Sequence, residues 1–128
     1  MKSDVKFRDD SHRARWSAAV QTANAVMEGG RVETDFAASL YILTADPDLY
    51  ERIRKHVHQH WMDFEEMLRM GLSAGECVLV ALAGNLYNGG FYAERGLSPL
   101  DIVTRCDEKS VALAVMALAM RKQTTYIT

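Results

Sequence analysis

The chain has 128 residues, 48% hydrophobic and 25% charged, with 15 basic residues against 17 acidic ones for a formal charge of -2. That length suits one core rather than two, and the interspersed charge excludes a disordered polyelectrolyte. The near balance of sign argues against a general duplex-DNA binder and equally against a DNA mimic.

The opening MKSDVKFRDD lacks the apolar centre of a signal peptide, and no run approaches 18 apolar residues, so a cytoplasmic protein without a membrane span is expected. Asp9, Asp10 and Ser11 offer N-caps for a helix running to Glu28, with Trp16, Ala19, Val20, Ala23, Val26 and Met27 at helical spacing and Gly29-Gly30 as its stop. Thr34 can cap a second helix whose buried stripe is Phe36, Leu40, Tyr41 and Leu43. Asp46-Pro47 starts a third, because aspartate caps while proline at the first helical position loses only an amide without a partner. This helix carries Leu49, Ile53 and Val57, and either continues or breaks once between His58 and Met62 before Trp61, Phe64, Met67 and Leu68.

Ser73 and Glu76 form a capping box ahead of Cys77-Val78-Leu79-Val80-Ala81-Leu82-Ala83. A segment apolar on every side should be surrounded by others, so this helix is expected at the centre. Asn88-Gly89-Gly90 ends it, and a loop runs to Gly96. Ser98-Pro99 starts a short helix over Leu100, Ile102 and Val103, and Asp107 caps a last one with the stripe Val111, Val115 and Leu118. The tail from Thr124 to Ile127 has strand composition and can pair with Val5 to Phe7. The expected fold is therefore all-α. It is a compact single domain over residues 1–128, a bundle of five to seven helices around a central apolar helix, with a small two-stranded ribbon at the termini as the one optional addition.

Four constellations carry chemical interest. On a helix His56 and His60 would share a face, as two ligands of one divalent metal do, but no third ligand and no HExxH pattern accompanies them, so no metal is expected. Arg13, Arg15, Arg52, Arg54 and Lys55, with Arg8 and His12 nearby and Trp61 to stack a base, could form a surface for single-stranded nucleic acid. Charged helix faces are more often simply solvated. Asp63, Glu65 and Glu66 are explained by the dipole of a helix start, without catalysis. The loop Asn88, Phe91, Tyr92, Glu94 and Arg95 brings two adjacent aromatics and an arginine together, the residue types that anchor protein interfaces. Against that stands a packing role, in which Phe91 plugs the core and Tyr92 lies flat over it.

Three stretches carry a family resemblance: Phe7-Arg8-Asp9-Asp10-Ser11-His12-Arg13, Leu43-Thr44-Ala45-Asp46-Pro47-Asp48-Leu49-Tyr50, and Leu82-Ala83-Gly84-Asn85-Leu86-Tyr87-Asn88-Gly89-Gly90. In these the chain resembles a family of small uncharacterised proteins of Gram-positive bacteria, their phages and integrative elements, from which it departs in its histidine-rich stretch. The resemblance implies a mobile-element accessory protein and transfers no catalytic residue or cofactor. Accessory proteins of such elements commonly bind a host protein, including as inhibitors of CRISPR nucleases. The expectation is accordingly a non-enzymatic binding protein without cofactor, whose partner is a host or phage protein and, in the sharpest version, a CRISPR effector. The alternative is a nucleic-acid-binding regulator.

Overall fold

A computed structural model describes residues 5–92 and 97–127. In chain order its elements are α1 (Asp10–Thr22), β1 (Arg31–Val32), α2 (Thr34–Leu43), α3 (Pro47–Ile53), β2 (Val57–His58), β3 (Trp61–Met62), α4 (Phe64–Leu68), α5 (Ala74–Asn88), α6 (Pro99–Arg105), α7 (Glu108–Lys122) and β4 (Thr125–Tyr126). The fold is all-α apart from two antiparallel pairs, β1 with β4 and β2 with β3.

Every residue from Phe36 to Ala45 is buried, and α2 packs chiefly against α5 and α7. The apolar run of α5 is buried from Val78 to Gly84, as expected, but it shares the centre with α2, whose small residues let its neighbours approach. Between Ala37-Ala38-Ser39 and α5 the approach is close enough for the Ser39 hydroxyl to donate to the Ala83 carbonyl at 2.7 Å. Full burial of one Leu or Ile side chain is worth roughly 1.5–3 kcal/mol, and Leu40, Ile42 and Leu43 are each at 1% exposure or less.

A helix enclosed in this way needs partners for its last carbonyls, which have no acceptor role inside the helix. The following turn meets Leu40 O and Ile42 O through Thr44 N and Ala45 N, and the side chains of α1 meet Tyr41 O and the two carbonyls just past the helix. His12 Nε2 bonds the Tyr41 carbonyl at 2.8 Å, Arg15 Nε donates to Thr44 O at 2.8 Å and Arg15 Nη2 to Ala45 O at 3.2 Å. One residue on, Trp16 Nε1 donates to Ala37 O at 3.0 Å. The Arg15 charge also lies at the negative end of the α2 dipole.

The local helix starts are as the sequence predicts. The Asp9 carboxylate accepts from His12 N, Asp46 from Asp48 N and Asp107 from Ser110 N, while Ser73–Glu76 and Ser98–Asp101 form capping boxes. Thr34 is the exception. It is the first helical residue, its hydroxyl accepts from Arg121 Nη1 at 2.8 Å, and Glu33 holds the cap position.

Four longer-range expectations are corrected. The first helix ends at Thr22, where Asn24 turns left-handed at φ 57°, and Gly29-Gly30 instead form the turn between Val26 and its bridge partner Val32. The third helix ends at Ile53, so Val57 lies in a strand, and the break falls in the β2–β3 hairpin. The tail strand pairs with β1, as Arg31↔Tyr126 and Val32↔Thr125, and not with Val5 to Phe7. Finally, α7 buries Leu113, Ala114, Ala117 and Met120, which leaves Val115 and Leu118 exposed.

His12 is fully buried, its Nδ1 accepting from Arg8 N at 3.1 Å and its ring packed against Phe7 and Tyr41. Burial, reinforced by the Arg15 and Arg8 charges, brings its pKa down from 6.5 to about 4. Protonation therefore favours the unfolded chain. The stability that neutral His12 contributes is complete above 6.5 and is lost as pH falls from there to about 4, a loss on the order of 3 kcal/mol. Thermal melts across that interval should show this fall, and His12→Gln, which keeps a donor and an acceptor but does not titrate, should flatten it.

Candidate functional site

The aromatic loop begins where α5 stops. Gly89 takes the left-handed conformation at φ 78° and its amide bonds Asn85 O at 2.8 Å, closing the helix. Two asparagines then fix the exit. Asn85 Nδ2 donates to Gly90 O at 3.1 Å, Asn88 Oδ1 accepts from Gly90 N at 2.9 Å, and Asn88 Nδ2 donates to the Tyr92 hydroxyl at 2.7 Å.

Tyr92 folds back over α5. Its ring lies where a side chain on Gly84 would stand, since a Cβ there would come within 2.5 Å of Tyr92 Cδ2, and it packs 5.5 Å from Phe64. The aromatic series continues through Tyr87, 5.6 Å from Phe64, to Phe36 on α2. With Tyr92 held inward, Phe91 points out and is 83% exposed. The packing alternative weighed from the sequence holds for Tyr92, which lies over the core, and fails for Phe91, which does not plug it. Beside Phe91 lies a shallow hollow of about 320 Å³ lined also by Glu65, Leu68, Arg69 and Tyr92. Arg69 is paired with Glu66 at 2.6 Å. Glu94 and Arg95 lie outside the described residues.

The basic residues take other partners. The Arg13 guanidinium stacks over Phe7 at 4.6 Å, Arg15 is spent on α2, Arg52 pairs with Glu76 at 2.6 Å, and Arg54 meets Glu51 at 3.4 Å while lying 5.7 Å from the Tyr50 ring centre. The Ser73 amide first, then Arg52, hold the Glu76 carboxyl below the usual carboxylate range. Lys55 is exposed, and Trp61, half exposed, stacks on His58 at 4.5 Å. His12, counted among the surface cations from sequence, is in the core.

His56 and His60 do not share a helix face. His56 closes a 3-10 turn, and His60 turns the hairpin at φ 68° with its Nε2 3.0 Å from Asn24 Nδ2. Among the described residues no three His, Cys, Asp or Glu side chains gather as metal ligands. Asp63 caps α4 through Glu66 N at 3.2 Å, so the carboxylate cluster is a helix start. Sequence reasoning did not anticipate a second hollow, of about 410 Å³, where the caps Asp46, Ser73 and Asp107 converge with Arg8 and Arg105. There the caps' own oxygens already take helix amides.

Scans against protein-family models, curated proteins and solved structures return no match. Among the described residues no helix is long and apolar enough to cross a membrane.

The two loop aromatics should separate in stability measurements. Tyr92→Ala removes the ring on Gly84 and Phe64 and should cost about 2 kcal/mol. Phe91→Ala should stay within about 0.5 kcal/mol of the parent. Equal losses in denaturant melts would contradict this assignment.

Proposed function

We propose that this protein acts by binding another protein, with Phe91 as the anchor of the contact. The observation that carries the reading is an 83% exposed phenylalanine on a backbone fixed by three asparagine hydrogen bonds and the inward Tyr92 ring. An aromatic left in water forgoes roughly 1.5–3 kcal/mol of burial, and a partner pocket recovers it with little further ordering of the loop. The hollow at Glu65, Leu68 and Arg69 beside the ring supplies a polar edge for the same contact.

The narrower reading is a phage or mobile-element accessory protein whose partner is a host or phage protein, with a CRISPR nuclease as its sharpest form. That reading rests on the family resemblance alone. The nucleic-acid alternative is less favoured, because phosphate neutralisation needs uncommitted cations and Arg13, Arg15, Arg52 and Arg54 are already engaged.

Inhibition of purified CRISPR nucleases, read together with direct binding to each, tests both levels. Phe91→Ala should weaken binding about tenfold or more, with the fold unchanged. Retained inhibition in Phe91→Ala would remove the anchor from the proposal. Steeply salt-dependent binding to single-stranded RNA or DNA would favour the alternative instead.

A further inference from the structure

The stripe that sequence periodicity assigns to the core from α7 instead faces water. Val115 is 63% and Leu118 52% exposed, Ala112 is exposed, and Val111 and Ala119 are half-buried. At 3.6 residues per turn these five side chains, with Glu108 and Lys122, lie within about 60° of Val115 on one face. We infer that this face joins two copies of the chain, packed antiparallel about a two-fold axis through Val115.

The occupant follows from how the stripe matches its own reverse. Antiparallel pairing about a two-fold through Val115 sets Val115 against its own copy, Val111 beside Leu118 of the other copy and Ala112 beside Ala119, so the apolar stripe covers itself on both sides of the axis. The same register sets Glu108 against Lys122 at both ends, opposite charges on the same line. Among the described residues neither of these two has an ion-pair partner within its own chain. Self-complementarity of this kind is what a two-fold interface demands of a single surface, whereas a foreign partner demands nothing of the sort. The flanking charges stand aside, and Arg121 is held by Leu86 O at 2.6 Å and by Thr34. Exposed Leu100 (68%) and Val103 (62%) lie on α6, which packs against α7. One helix pair falls at the lower end of specific interfaces, roughly 1,000 Å², so the dimer is a reversible one in the micromolar range.

Sedimentation equilibrium of the full chain, from low micromolar to near-millimolar concentration, tests this. The parent should show a monomer–dimer equilibrium. Val115→Lys brings two like charges together at the axis and should raise the dissociation constant about a hundredfold or more, and because Val115 is exposed in the monomer its circular dichroism should stay native. Glu108→Lys or Lys122→Glu alone should weaken the dimer about tenfold, and the double exchange should restore it to within about threefold. A monomer at every concentration, a dimer indifferent to Val115→Lys, or a double exchange that fails to restore association overturns the inference. Phe91→Ala should leave the dimer unchanged, which separates this interface from the proposed anchor.

Discussion

A helix buried on every side cannot leave its terminal carbonyls to water, and the rest of the domain is arranged around meeting that demand for α2. The demand falls on α1, where His12 and Arg15 stand one turn apart and reach the carbonyls of Tyr41 in the last turn of α2, Thr44 at its C-cap and Ala45 just beyond. An unpaired buried carbonyl costs about 1–3 kcal/mol, so these two side chains together govern a large share of a typical domain's net stability. The Tyr41 carbonyl by itself favours a protonated ring, but burial outweighs it, and only the neutral ring leaves Nδ1 free to accept the Arg8 amide.

The second organising feature is the small surface of α5. Gly84 admits the Tyr92 ring, and through Phe64 and Tyr87 that ring is continuous with Phe36 on α2. The outward Phe91 is thereby attached to the core by its immediate neighbour. Elsewhere two left-handed residues, Asn24 and His60, meet, with His60 N also bonding Ala23 O at 2.8 Å. Their contact ties the end of α1 to the β2–β3 hairpin without either helix being extended.

What the sequence reveals and conceals follows from the range of each interaction. Asp46-Pro47, Ser73–Glu76, Ser98–Asp101 and Asp107 are legible because a cap and the amide it serves lie within three residues. The end of α1 is not, because Gly29-Gly30 can serve a helix stop or a hairpin turn, and only the pairing of Val32 with Val26 decides. In α7 the ten residues Val111 to Met120 are all apolar, so no polar residue marks an outer face and periodicity alone cannot orient the helix. The sequence marks the loop at Asn88, Phe91 and Tyr92 as one where an aromatic can lie over the core, which Tyr92 does, but it does not show that Phe91 stays out. That Tyr92 turns inward depends on the absent side chain of Gly84, eight residues upstream. His12 was unreadable for a related reason: its acceptor, the Tyr41 carbonyl, belongs to the backbone and leaves no trace in the identity of residue 41.

That last point has a wider consequence. Since His12, Arg15 and Trp16 bond main-chain carbonyls, the purely packing side chains of α2 can be exchanged for others of similar volume without disturbing those bonds, whereas Ser39, which donates to Ala83 O, and Tyr41, which packs on His12 and donates to Lys6 O, cannot. The specific polar recognition of α2 by α1 thus rests on the short pattern His-x-x-Arg-Trp, while volume and closeness of approach constrain the enclosed helix itself.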